Sequence, residues 1–301
     1  MKYLPYLALC LIVSALVLSA GCTQNAPAPA PGTAATTAPV ATPVSADTIR
    51  TSSTPLGTVL TDARGMTLYF FTPDSPGSAK STCYDQCVTF WPIFYTADPV
   101  VSAPLAAADF SVITRTDGSK QTSYKGWTLY YYISDTRAGD LKGEGVTGNW
   151  FVAKPDYTVM LLRQPGAGEF LTDGSGKTLY FLATETSGET ACTGTCLANW
   201  PAFSSGPLVA PSALKAADFA GAKRPDGTMQ SLYKGRLLYY FAKDTKPGDM
   251  NGQGLNNAWF VANSSGFVPP VPTPVPTSVP TTKPTIDYGS DSGDSGGGGG
   301  Y

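Results

Sequence analysis

The chain has 301 residues, 42% of them hydrophobic, which is enough for real cores and excludes disorder throughout. A net charge of −2 with only 14% charged residues excludes a nucleic-acid footprint and a polybasic membrane patch. Histidine is absent, so His-ligated haem, His-containing zinc sites and His-based nucleophilic triads are excluded. Neither a phosphate loop nor a dinucleotide fingerprint is present.

Residues 1–21 read as a signal peptide: Lys2, an apolar run from Leu4 to Leu18, then small residues before Cys22. The run, about 15 residues, is short for a spanning helix. The stretch Leu18, Ser19, Ala20, Gly21, Cys22 resembles a lipoprotein processing site, with its leucine one step further from the cysteine than is usual. Cys22 is then the lipidated first residue and the lipid is the link to the membrane. An uncleaved anchor or ordinary secretion is the alternative, and each of these readings places the rest of the chain outside the cytoplasm. Residues 22–54 are Ala, Pro, Thr and Ser with almost no large apolar side chain, a composition that cannot offset its ordering entropy and reads as a tether.

Two tandem copies follow, 55–157 and 158–264. Cys83, Cys87, Trp91 and Pro92 return 109 positions on as Cys192, Cys196, Trp200 and Pro201. Tyr124-Lys125-Gly126 returns as Tyr233-Lys234-Gly235, and Trp150-Phe151-Val152-Ala153 as Trp259-Phe260-Val261-Ala262. A constant register over this length defines a repeat. Upstream of the cysteines the offset is 111, as in Tyr69 to Tyr180. Each copy also contains a shorter echo: Gly65, Leu68, Tyr69, Phe71 and Asp74 match Gly126, Leu129, Tyr130, Tyr132 and Asp135. In the second copy Gly176, Leu179, Tyr180, Leu182 and Glu185 match Gly235, Leu238, Tyr239, Phe241 and Asp244.

These units are rich in Tyr, Phe, Leu and Thr and are preceded by turn pairs such as Asp117-Gly118 and Asp173-Gly174, which is hairpin grammar. The apolar runs Leu68 to Phe71, Leu129 to Ile133 and Leu238 to Ala242 predict strands covered on both faces. The fold class is all-β, two hairpin-rich copies forming a sandwich, barrel or propeller-like array. Each copy has one short Cys-containing helix, over Thr82 to Phe90 and Ala191 to Asn199, stopped by Pro92 and Pro201. Residues 265–301 form a tail, first a Pro/Thr/Val tract favouring polyproline II and then flexible Gly/Ser/Asp sequence.

With these residues in view, the chain resembles a family of secreted tandem-repeat lipoproteins defined by a Tyr-x-aromatic-x-x-Asp motif and described as of unknown function. The motif stands at Tyr69-Phe71-Asp74, Tyr130-Tyr132-Asp135 and Tyr239-Phe241-Asp244. The fourth site departs from it, with Leu182 for the aromatic residue and Glu185 for the aspartate. The resemblance covers about 56–263 and brings no activity with it.

Once Cys10 leaves with the signal and Cys22 is lipidated, four thiols remain outside the reducing cytoplasm, and disulfides are their default state. Four cysteines allow three connectivities; the repeat favours Cys83 with Cys87 and Cys192 with Cys196. A redox-active pair and a four-thiolate metal site are the alternatives. No cofactor is expected beyond calcium, whose candidate ligands Asp135, Asp140, Glu144, Asp244 and Asp249 sit among the loop glycines 139, 143, 145, 248, 252 and 254. The competing reading of the motif acids is an Asx turn or cap. The aromatic residues read first as core and second as a stacking platform.

The function these features support is a lipid-anchored surface binding or structural module without catalysis, with an envelope polymer or surface protein as its partner and no nucleic acid. An accessory in extracellular redox chemistry, using the Cys pairs or the tyrosine clusters, is the first alternative. The second is a carboxylate-dependent envelope-glycan hydrolase using Asp135 and Asp244.

Overall fold

Hairpins form where turn residues such as Asp117-Gly118 reverse the chain between strands whose aromatic and β-branched side chains pack on a pleated surface. The structure, a computed structural model, describes residues 48–266 apart from 79 and 186–188. The signal peptide, Cys10, Cys22, residues 22–47 of the tether and all but the first two residues of the tail lie outside the described residues.

In the first copy β1 (Ile49–Thr54) and β2 (Gly57–Asp62) form an antiparallel hairpin. β3 (Tyr69–Phe71), α1 (Gln86–Phe90), β4 (Phe110–Thr114), β5 (Lys120–Tyr124), β6 (Trp127–Thr128) and β7 (Trp150–Val152) follow. β3 pairs with β7, and β4, β5 and β6 form a meander. The second copy repeats the order with β8 (Val159–Gln164), β9 (Gly168–Asp173), β10 (Tyr180–Leu182), α2 (Thr195–Asn199), β11 (Phe219–Lys223), β12 (Met229–Tyr233), β13 (Arg236–Leu237) and β14 (Trp259–Val261). The chain is all-β: small antiparallel sheets built from repeated hairpins, with a single five-residue helix in each copy.

Three expectations are corrected. Strand β1 starts at Ile49, in the stretch read as tether, because Ile49 is fully buried and its backbone N–H reaches the Val100 carbonyl at 3.1 Å. The helices are shorter than Thr82–Phe90 and Ala191–Asn199, because Asp85 and Gly194 take positive φ (51° and 54°) and leave Cys83 and Cys192 outside the helical turn. The run Leu129 to Ile133 is no continuous strand: Tyr130 bridges Tyr69 on one side and Ile93 on the other, and Ile133 is exposed.

The two half-units of a copy meet at their tyrosines. Tyr69 N–H donates to the Tyr130 carbonyl (2.9 Å) and Tyr130 N–H to the Tyr69 carbonyl (3.1 Å), a reciprocal exchange that relates the halves by a local two-fold. Tyr180 and Tyr239 do the same at 2.8 and 2.9 Å.

The copies share a core. Ile49, Phe70, Trp127, Met160, Leu162 and Tyr180 belong to one buried cluster that crosses the repeat boundary. Trp127 Nε1 donates to the Gly174 carbonyl (3.0 Å), and Arg163 N–H to the Thr72 carbonyl (2.9 Å). Gly176 sits so close to Pro76 that an added Cβ would lie 2.2 Å from the ring, which explains a glycine there apart from its φ of +88°.

Candidate functional site

The acid of each motif ends its half-unit just where the chain turns away, and the tyrosine of the other half-unit crosses to meet it. Tyr69 Oη donates to Asp135 Oδ2 at 2.6 Å, and Tyr130 Oη donates to Asp74 Oδ2 at 2.5 Å. In the second copy Tyr180 Oη donates to Asp244 Oδ2 (2.6 Å), while Tyr239 Oη reaches both oxygens of Glu185 at 3.0 and 2.9 Å. All four tyrosines and all four acids are buried. The motif is therefore read across the local two-fold, with each tyrosine paired to the acid of the opposite half-unit.

Each carboxylate accepts further internal bonds. Asp74 Oδ1 takes Thr82 N–H (2.6 Å) and Thr82 Oγ1 (2.9 Å), and Asp74 Oδ2 also takes Thr128 Oγ1 (2.5 Å). Asp135 Oδ1 takes Lys142 N–H (3.0 Å), and Asp244 Oδ1 takes Asn251 N–H (3.0 Å). Glu185 accepts the Ala191 and Cys192 amides at 2.6 and 3.0 Å, its extra methylene bringing the carboxylate to donors that Thr82 supplies in the first copy. Burial raises the pKa of Asp135 and Asp244 above the usual carboxylate value, and the tyrosine hydrogen bond opposes it. Burial also pushes the Tyr69, Tyr130 and Tyr180 phenols well up, so they are neutral donors at physiological pH.

Internal bonds also engage the candidate calcium ligands. Among the described residues no three His, Cys, Asp or Glu side chains converge. Asp140 Oδ2 accepts the Thr136 and Arg137 amides and Lys142 Nζ, which hold its pKa down at about 2. Asp249 Oδ2 accepts the Thr245 and Lys246 amides in the same way. Glu144 Oε2 takes Val152 N–H at 2.7 Å; its counterpart Gln253 takes Val261 N–H at 2.8 Å. An amide serves as well as a carboxylate there because only an acceptor is needed. Gly143 has a packing role: a Cβ would lie 2.7 Å from the Tyr69 ring and 2.9 Å from Trp91, and Gly252 stands likewise against Trp200 and Tyr180.

Beside each lock runs a column of rings. In the first copy Tyr132, Trp91, Trp150 and Phe71 stack in sequence, with centroid separations of 4.3, 3.8 and 4.0 Å. The motif aromatics are thus the two ends of the column, and the two tryptophans its centre, parallel to within 2°. Tyr69 meets Trp91 edge-on at 5.5 Å, and Tyr130 meets Trp150 at 5.1 Å. The second copy keeps Phe241, Trp200 and Trp259 at 4.4 and 3.8 Å, with Leu182 at the end where Phe71 stands. Disulfides Cys83–Cys87 and Cys192–Cys196, with Cα separations of 5.3 Å, lie against these columns.

Sequence reasoning missed a buried arginine in each copy. Arg115 donates from Nη2 to the Cys83 carbonyl and from Nη1 to Gln121 Oε1 (2.5 Å). Arg224 donates from Nη2 to the Cys192 carbonyl at 2.7 Å and from Nη1 to Gln230 Oε1. The recurrence of both Arg and Gln at the 109-residue offset was the available signal. The outer faces of the copies differ. A groove of about 360 Å³ in the second copy is lined by Ser204, Leu208, Phe219, Gly221, Met229 and Ser231. At the positions of Ser204, Gly221 and Met229 the first copy carries Tyr95, Val112 and Lys120.

Residues 50–94, 111–154 and 221–263 match the model of a family described as a secreted repeat of unknown function. These three segments are similar to that family's repeat. The three matched segments of this secreted repeat are the half-units built on Tyr69, Tyr130 and Tyr239; the fourth half-unit is the one with Leu182 and Glu185. No curated protein matches the chain, and no solved structure does. A secreted family and two disulfides point to a place outside the cytoplasm. Among the described residues no helix is long and apolar enough to cross a membrane.

Proposed function

We propose that the chain is a non-catalytic module that works outside the cytoplasm, held at the membrane by lipid on Cys22 and lifted from it by the tether 22–54. There it engages an envelope polymer or a surface protein. The observation that carries this reading is the internal pairing of the motif carboxylates: each acid is buried and accepts the hydroxyl of a tyrosine across the local two-fold instead of facing solvent. A scaffold locked in this way loses little conformational freedom when it binds, which is what a display module needs. Its contact surface is then the outer faces, and the Ser204–Met229 groove makes the second copy the first face to examine.

Fatty-acid mass on Cys22 in protein taken from its own membrane, with release of Cys22→Ser into the soluble fraction, is the expected result. Retention of Cys22→Ser on the membrane would remove the anchor. Incubation with envelope glycan should release no soluble sugar. Release that disappears in folded Asp135→Asn and Asp244→Asn would replace this reading with the hydrolase.

A further inference from the structure

The locks place two features together that packing alone does not require: a parallel tryptophan pair, and tyrosines in ring contact with it whose hydroxyls donate directly to carboxylates. In the first copy the sequence Tyr132, Trp91, Trp150, Tyr130 is continuous, with centroid steps of 4.3, 3.8 and 5.1 Å. It begins at a half-buried tyrosine and ends at a fully buried one. Tyr69 closes the other branch, 5.5 Å from Trp91. The same pieces recur in the second copy as Trp200, Trp259, Tyr180 and Tyr239, with Phe241 in place of Tyr132.

We propose that each copy is a one-electron store, in which an oxidising equivalent taken up at the ring column settles on a buried tyrosine while its phenolic proton moves to the paired carboxylate. A diffusing one-electron oxidant, such as an oxidising radical or a high-potential metal complex, takes the electron. The tryptophan pair passes the vacancy inward. Tyr130–OH and Asp74–COO⁻ become Tyr130–O• and Asp74–COOH; one electron has left and no proton has entered or left the protein. A one-electron reductant, a thiol or quinol, returns the electron and the proton moves back.

The geometry favours the tyrosine as the end point because its O–H bond can be broken only when a base takes the proton in the same step, and the base stands 2.5 Å away. Tyr69 with Asp135 offers the same transfer at 2.6 Å. Prior ionisation is closed off, since burial holds these phenols protonated. Tyr132 makes the first copy the better acceptor, because its ring is partly exposed whereas Phe241 is buried and has no hydroxyl.

The test is one-electron oxidation of the full chain by photogenerated ruthenium(III) tris-bipyridine, frozen and read by electron paramagnetic resonance. A neutral tyrosyl signal is expected in the wild type. It should be lost in the variant carrying Tyr69→Phe, Tyr130→Phe, Tyr180→Phe and Tyr239→Phe, with a tryptophan radical in its place. These changes keep every ring, so the fold is expected to survive; circular dichroism of the same sample checks it. Tyr132→Phe, which copies the natural Phe241, should slow uptake in the first copy without changing the final radical. A tyrosyl signal unchanged in the fourfold variant would place the radical on surface tyrosines and overturn the proposal. Absence of any tyrosyl signal in the wild type would also overturn it.

Discussion

The two copies are built alike around their locks and unlike at their ends. Strand β8 opens with Val159-Met160-Leu161-Leu162, all four buried, while its counterpart β1 opens with Ile49-Arg50-Thr51-Ser52, of which only Ile49 is buried. β8 lies against the first copy, whereas among the described residues no other copy lies against β1. The opposite end shows the same logic. Trp127, buried and bonded to the Gly174 carbonyl, joins the first copy to the second, whereas the equivalent Arg236 donates to the Ala183 and Glu185 carbonyls and lies over the Phe181 ring. A stacked array needs apolar faces between repeats and polar faces at its ends, and this chain places both within two copies.

The largest expected effect comes from removing the joint. Trp127→Ala should cost about 3–5 kcal/mol in urea denaturation, the range for a large buried ring, while Arg236→Ala should cost about 1 kcal/mol or less. The converse experiment builds a new joint: Arg236→Trp with Ser52→Leu gives the outer ends the chemistry of the inner ones. Head-to-tail association in sedimentation velocity is then expected to exceed that of the unaltered chain.

Smaller effects sharpen the comparison of the locks. Tyr130→Phe should cost about 1.5–3 kcal/mol, the range for a hydrogen bond to a charged group, and Tyr239→Phe less, because its bonds to Glu185 are longer. Reducing the disulfides should cost about 2 kcal/mol apiece and equally in both copies, since each closes the same short loop. Alkaline titration should show one event. Tyr124 and Tyr233 are raised to about 12, Tyr69, Tyr130 and Tyr180 higher still, and Tyr239 is raised as well, so folding stability is complete below the ordinary phenol value of 10.0. It falls as pH rises beyond that value, because the unfolded chain gives up phenolic protons that the folded chain retains. Tyrosinate absorbance from these residues should appear together with loss of near-ultraviolet circular dichroism.

The repeats, the all-β class and the half-unit echo were legible in the sequence because residue offsets survive folding unchanged. The cysteine pairs were legible for the same reason. The acids were less so. Asp74 and Asp135 look equivalent along the chain, and spacing within one motif suggests that Tyr69 and Asp74 act together. Folding pairs Tyr69 with Asp135, 66 residues away, through a local two-fold that no linear pattern displays. Glu144, a candidate ligand by sequence, and its counterpart Gln253 are one acceptor in two forms, each taking a strand amide. The buried Arg115 and Arg224 were hidden because arginine in a turn ordinarily faces water.

The most direct test of the crossed lock is a set of double-mutant cycles over Tyr69→Phe, Tyr130→Phe, Asp74→Asn and Asp135→Asn, read by urea denaturation. Coupling of about 1–3 kcal/mol is expected for Tyr69 with Asp135 and for Tyr130 with Asp74, and values within about 0.5 kcal/mol of zero for Tyr69 with Asp74 and Tyr130 with Asp135. Coupling inside each motif, with none across the two-fold, would contradict the account.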